Sequence, residues 1–331
     1  NDYDGNKGGG AISIKGGSLN ITGATFDSNG SGYYGGTILA NGTTVVIDGN
    51  TVIKNSTGST GSALNFRGSF NATLKDVSII DNKDGYNGVI YANGGILNMT
   101  NVTASSNSAT NGGVLYLSGA GTVTTITDCN FSLNTAKTGG AIWFTNGKLD
   151  ITGSEFTSNS ATTGGAVYNE KGKLTVSGTS FTSNSASKNG GAIALSGGTL
   201  TVTGNCEFVS NSATGDAGAI YVSSFTDDSG VVTYSNASIT DAYFEKNTAN
   251  YGGAVNVSSG CAATLEGTSF TENSSVKNGG AVYAYHAELQ VNGGNTFSKN
   301  TSSNNGGAIC LTGSKMTAQG ANTFSENSAV N

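Results

Sequence analysis

A four-residue motif, Gly-Gly-Ala-Ile/Val or a degraded copy, starts at Gly9, Gly35, Gly61, Asn87, Gly112, Gly139, Gly164, Gly190, Ala217, Gly252, Gly279 and Gly306. Successive starts lie 25 to 27 residues apart, with one interval of 35. A period in this range marks a stacked array in which each unit buries its apolar face only against its neighbours. Further along each unit comes a second motif, Phe-x-x-Asn or a copy lacking the Phe. Its Asn recurs at Asn29, Asn55, Asn82, Asn107, Asn134, Asn159, Asn184, Asn211, Asn247, Asn273, Asn300 and Asn327. Between the motifs lie strictly alternating segments such as Leu149-Asp150-Ile151-Thr152 and Leu200-Thr201-Val202-Thr203. Alternation over four to six residues is a strand signal. Each unit therefore offers three short strands in about 26 residues and leaves no room for a crossover helix.

The simplest closed arrangement is one coil per unit, stacked so that equivalent strands pair in parallel. Parallel crossovers are right-handed in almost all cases. The expected fold is an all-β, right-handed, single-stranded parallel β-helix (a β-solenoid) forming one domain over residues 1–331. It has about twelve coils, and at ~4.8 Å per coil it makes a rod of roughly 58 Å. The long interval places a loop insertion within 221–240. Residues 1–8 are polar, and the chain stops just after Phe324-x-x-Asn327, so a fragment of a longer repeat protein is expected. Residues three and five after a motif start, such as Leu115/Leu117 and Ile142/Phe144, should point inward. Phe131, Phe156, Phe181 and Phe208 should form an internal stack.

Composition narrows the function classes. Only 11% of residues are charged against 36% hydrophobic, and there are 52 Gly and no Pro. That is too apolar for a disordered chain, and absence of Pro suits a structure whose N–H groups serve ladders. With net charge −6 and a single Arg, Arg67, no basic stripe exists to displace counterions from a nucleic acid. No run approaches the ~20 apolar residues of a membrane-spanning helix.

The paired Gly-Gly-Ala-Ile/Val/Leu and Phe-x-x-Asn motifs resemble the polymorphic outer membrane protein repeats of chlamydiae. Similar repeats occur in adhesin-like surface proteins of other microbes and in the scaffoldins of anaerobic fungal cellulosomes. The resemblance covers the whole chain. It implies a surface-exposed β-helical passenger that is adhesive or scaffolding.

Because coils stack in register, residues at one offset from a motif are neighbours. Arg67 has Asn41 and Asn93 at its offset and no carboxylate, which counts against a lyase site. Asp76, Asn101 and Asp128 form the best acidic register, its outer members about 9.6 Å apart, near the upper limit for an inverting glycosidase pair. They read better as turn residues. Asp227-Asp228 fall in the insertion, where an ordinary surface excursion is favoured over a ligand or calcium loop. His286, the sole His, has no partner at a catalytic spacing. Lys246, Glu272, Lys299 and Glu326 share an offset with alternating sign and read as an ion-pair ladder.

The four cysteines lie in non-adjacent coils, beyond the ~7 Å reach of a bridge, and are expected as free thiols. Twelve Asn-x-Ser/Thr sequons, including Asn20, Asn71, Asn130, Asn236 and Asn300, would matter only in a eukaryotic secretory route.

One outward register reads Tyr91, Tyr116, Trp143, Tyr168, Ala194, Tyr221, Asn256, Tyr283. Its first four members make an aromatic stripe, which is the candidate binding site for protein modules or surface glycans; a purely structural ladder is the competing reading. No catalytic residue, metal site or cofactor is expected. The expected function is a non-catalytic, extracellular or cell-surface β-solenoid acting as an adhesin or elongated binding scaffold. Alternatives are a multivalent scaffoldin docking carbohydrate-active enzyme modules and, more distantly, a polysaccharide lyase or hydrolase.

Overall fold

Alternating branched and polar residues turn one set of side chains to each face of a strand, and a coil closes when the apolar faces of its strands meet. The structure, a computed structural model describing residues 8–330, stacks twelve such coils. Residues 1–7 of the polar N-terminal stretch and residue 331 lie outside the described residues. Three parallel sheets of 12 strands run the length of the stack. In coil six, for example, their strands are Ile142–Thr145, Lys148–Thr152 and Glu155–Thr157. Inside lies one continuous apolar core, with Phe144, Leu149, Ile151 and Phe156 at 0–1% exposure. The eight second-motif phenylalanines from Phe131 to Phe324 stack one on the next with ring centroids 4.7–4.9 Å apart, interior except for exposed Phe324 at the end of the column.

A fourth parallel sheet of 11 strands corrects the expectation of three strands per coil. Its members follow the Asn of the second motif, as in Ser160–Thr163 (Ser-Ala-Thr-Thr). They line no part of the main core, and large residues on them such as Tyr86 and Val276 are exposed; Ala186, Ala213 and Ala249 make a small cluster of their own. What separates them from the core is a column of buried asparagines. Asn82, Asn107, Asn134, Asn159, Asn184, Asn211, Asn247, Asn273 and Asn300 are each at most 1% exposed. In each step the backbone N–H and Nδ2 of one Asn both donate to Oδ1 of the Asn in the next coil, as Asn159 does to Asn184 at 3.0 Å each. Nδ2 also donates to a carbonyl of the preceding coil, Phe131 O for Asn159, at 2.9 Å. Both amide protons and two acceptor positions are thereby used.

Asn55 does not join this column, although it matches the motif. It is exposed, with φ 55°, and donates to Asp27 Oδ1 at 2.8 Å. Ser56 takes the buried position, and its N–H donates to Asn82 Oδ1 at 2.9 Å.

The glycine pair closes the corner between the fourth and first strands. Gly139 has φ 63°. A Cβ on Gly140 would lie 2.0 Å from Gly165 O and 2.8 Å from Ser160 O, so the backbones of successive coils touch there and no side chain fits. Coil four breaks the pattern. Ile90 pairs with both Leu64 and Leu115, yet only Val89 separates it from Gly88 (φ 64°), so the second glycine is deleted. Ser62 in coil three thereby loses the carbonyl its N–H would meet, and Asp84 Oδ2 replaces it at 2.9 Å. Asp84 Oδ1 also accepts from Tyr86 N at 2.7 Å and Asn87 N at 3.0 Å. Burial lifts this carboxyl to about 6 against the opposing pull of the three N–H groups.

Two outcomes follow from this architecture. Asn184→Ala leaves both donors of Asn159 without their acceptor. At about 1–3 kcal/mol per buried unpaired group, it should cost roughly 2–6 kcal/mol in denaturant unfolding, whereas exposed Asn71→Ala should stay within about 0.5. For Asp84 the folded pKa is raised, so ionisation costs more in the fold than in the unfolded chain. Its stabilising share is complete below about pH 4 and lost as pH rises through about 6. Asp84→Asn should flatten that part of the stability profile between pH 4 and 7, measured by chemical denaturation.

Candidate functional site

Side chains at the second position of each first strand face outward, directly opposite their equivalents in adjacent coils: Tyr91 against Tyr116, Tyr116 against Trp143, and Trp143 against Tyr168. Coils about 4.8 Å apart bring planar rings within stacking range. Here the centroids are 5.5, 4.3 and 6.5 Å apart with interplanar angles of 13°, 11° and 18°. Arg67 extends the column, its guanidinium carbon 3.7 Å from the Tyr34 ring centroid and 5.5 Å from that of Tyr91. Its Nε donates to Asn65 Oδ1 at 2.9 Å.

The four aromatic residues are therefore together, as expected, but half-buried rather than displayed. Ring faces cover one another, leaving edges toward solvent. Burial pushes the Tyr116 hydroxyl up to about 12, with Tyr91 and Glu170 adding repulsion. Burial also raises Tyr168, whose hydroxyl is bonded to Ser196 of the next coil. The column stops at Ala194, which is fully buried. Beyond it, Tyr221 accepts from Ser258 Oγ at 3.2 Å and stands apart from the column.

The acidic register is a backbone requirement. Asp76, Asn101 and Asp128 have φ of 55°, 51° and 52°, and Gly153 and Gly178 hold the same left-handed position in coils six and seven. Asp and Asn are among the residues that tolerate this region. Asn101 Nδ2 donates to Asp76 Oδ1 at 2.6 Å. Lys246, Glu272, Lys299 and Glu326 are likewise left-handed, at 54–56°. Among them the one ion pair within 4 Å in the described residues is Lys246–Glu272 at 3.8 Å, and Lys246 lies closer to Glu245 at 2.6 Å. The expected ladder is thus a single rung.

Asp227 Oδ1 accepts from Ser229 N, Ser229 Oγ and Val231 N at 2.9, 2.6 and 2.9 Å, closing a turn. His286 is exposed and stands edge-on to Tyr285. The cysteines are all free. Cys129 and Cys206 act as hydrogen-bonding groups, accepting from Val102 N at 3.4 Å and Thr179 N at 3.5 Å. In the same row, Ser154 and Thr179 do this with hydroxyls. Burial pushes the Cys129 thiol up to about 11, away from a nucleophilic thiolate. Sequon residues Asn256, Asn273 and Asn300 are buried, and the last two belong to the amide column. Among the described residues no group of three or more His, Cys, Asp or Glu is placed to hold a metal ion. No helix among them is long and apolar enough to cross a membrane.

The insertion is more ordered than a surface excursion. Phe225–Thr226 and Val232–Thr233 pair antiparallel as a hairpin, which rests against the coils on both sides of its own. The 35-residue interval located it, but its contacts with glycines in other coils left no trace in the residue pattern.

The family models agree with the architecture. The right-handed beta helix region matches residues 10–181 and 112–287, and the Chlamydia polymorphic membrane protein repeat matches residues 296–312. Among curated proteins none matches. PfbA, a surface adhesin of Streptococcus pneumoniae, is a similar solved structure at 11% identity and a TM-score of 0.35, covering 88% of this chain and 83% of its own. With its matches spanning residues 10–287, the chain belongs to the right-handed β-helix family.

Proposed function

We propose that this chain is a non-catalytic β-solenoid of the cell surface or extracellular space, an adhesin that holds a lateral binding face on a rigid rod. The observation that carries this reading is the column Tyr91–Tyr116–Trp143–Tyr168. It presents a row of half-exposed aromatic edges on a frame of low charge, and aromatic groups of this kind are enriched where proteins bind one another. Because the ring faces are already stacked, the column suits a protein surface better than a sugar, which seeks a free face. The chlamydial-type repeat at residues 296–312 supports a surface setting.

A single column favours an adhesin over a multivalent scaffold, whose avidity rests on like sites repeated along the rod. Here the register changes to Ala194, Tyr221, Asn256 and Tyr283 beyond coil seven. A non-catalytic role is supported by the left-handed corner positions of Asp76, Asn101 and Asp128, which place those carboxyls by backbone need.

The test is binding of the purified chain to surface-exposed proteins from its own environment, compared with Trp143→Ala and Tyr116→Phe. Trp143→Ala should lose at least tenfold in binding. It should also lose about 1–3 kcal/mol of stability from two stacking contacts, with an unchanged strand signature in circular dichroism. Tyr116→Phe keeps the ring and should bind within about threefold of wild type. Equal binding by wild type and Trp143→Ala would reduce the column to a structural ladder.

A further inference from the structure

The hairpin at Phe225–Thr233 breaks the repetition of the coils, and it is held on both sides. On one side its paired residues Phe225 and Thr233 sit on Gly197 of coil eight, where a Cβ would come within 2.6 Å of Phe225 Cβ and 3.3 Å of Thr233 Cβ. Lys171 Nζ of coil seven lies 4.1 Å from the Phe225 ring centroid. On the other side the Tyr234 ring lies on the backbone of Gly260 in coil ten. A Cβ there would fall 2.1 Å from Tyr234 Cε1 and 2.5 Å from Cδ1. Gly260 is itself fixed, with φ 74°, and its N–H donates to His286 O of coil eleven at 2.9 Å. Tyr234 nevertheless remains 57% exposed. The ring rests on a glycine along its Cδ1–Cε1 side and is otherwise largely open to solvent.

That is the arrangement the aromatic column lacks. We infer that Tyr234 is the platform of a glycan-binding site, with the C–H face of a pyranose stacked on the open side of the ring. The π face attracts the weakly positive C–H groups of a sugar as it attracts the edge of another ring. The hydroxyls of a sugar stacked there need short polar partners around the rim. Ser259, exposed and next to Gly260 in the chain, is a short uncharged polar group of that kind.

Size argues against a protein partner here. A stable protein interface needs roughly 800 Å² per partner, whereas the exposed apolar groups of the hairpin are Val231, Val232 and Tyr234. A ring already held in place loses little freedom on binding, which favours a small ligand with few contacts. This site is separate from the column and goes beyond the adhesin reading, which stands or falls on Trp143.

The experiment is saturation-transfer NMR of the whole chain with methyl β-glycosides of glucose, galactose and N-acetylglucosamine. Wild type should transfer magnetisation to the C–H protons of one face of at least one of these sugars. Tyr234→Phe, which keeps the ring, and Trp143→Ala, which leaves this site untouched, should retain the signal. Tyr234→Ala should weaken it more than tenfold. Tyr234→Leu, which keeps apolar contact with Gly260 but has no π face, should do the same with an unchanged melting temperature. Absence of transfer from wild type to all three sugars, or equal transfer to the Leu variant, would overturn the assignment.

Discussion

The amide column is the interaction on which the other parts of this rod depend. A buried primary amide costs several kcal/mol unless its donors and acceptors are met, and each Asn here meets them with the coil before and the coil after. That condition holds only if equivalent residues recur one strand spacing apart, so the column fixes the register of all four sheets at once. The Phe three residues earlier must then fall on its own equivalent, which is why the ring stack repeats at 4.7–4.9 Å. Coil length between columns is free to vary, and does. The nine or so extra residues of coil nine leave Asn211 and Asn247 bonded at the usual 3.0 Å.

Repetition also limits what such a surface can do. A residue repeated in adjacent coils lies against its own copies, so an aromatic row consumes its faces in stacking and a charged row incurs like-charge repulsion. The rod meets the second problem by placing charges at left-handed corners, where Asp76 and Asp128 hold the position that Gly153 and Gly178 hold in other coils, and Lys246 and Glu272 that of Ser158 and Ser183. Chemistry that needs converging groups therefore has little room on the regular faces. Departures from the repeat are where distinct environments arise. The deletion in coil four creates a half-buried carboxyl at Asp84, and the insertion in coil nine leaves the Tyr234 ring supported by a glycine yet more than half exposed.

Much of the fold was legible because its signals are periodic. Coil number, the inward Ile, Leu and Phe positions, the Phe stack and the free thiols follow from offsets alone. The fourth sheet was not, because segments such as Ser160-Ala161-Thr162-Thr163 line no part of the main core and show no alternation of apolar and polar residues. Asn55 misled because the motif marks two adjacent sites, a left-handed corner and the buried position after it, and Asn suits both. At the candidate site, Tyr91, Tyr116, Trp143 and Tyr168 were identifiable by register, but register alone does not say whether rings one coil apart stack or splay. Tyr234 carried no signal. Its partner Gly260 is one of 52 glycines, and only the folded chain shows which one a ring covers.

The way the hairpin is attached separates binding from folding. The strands on either side of it, Ile220–Ser223 and Asn236–Thr240, pair with the coils before and after as if no residues intervened. The root is pinned by Ser235, whose Oγ donates to Ser223 O at 2.6 Å and accepts from Gly198 N at 3.1 Å. Residues between those two serines can therefore change in length or identity without disturbing the amide column or the core. Support for the base of the hairpin comes from Gly197 and Gly260, which belong to the neighbouring coils. A solenoid can thus gain a rigid recognition element by lengthening one corner, provided the corners above and below are glycine. The backbone surface that lets the coils approach closely is the same surface on which an aromatic ring can rest.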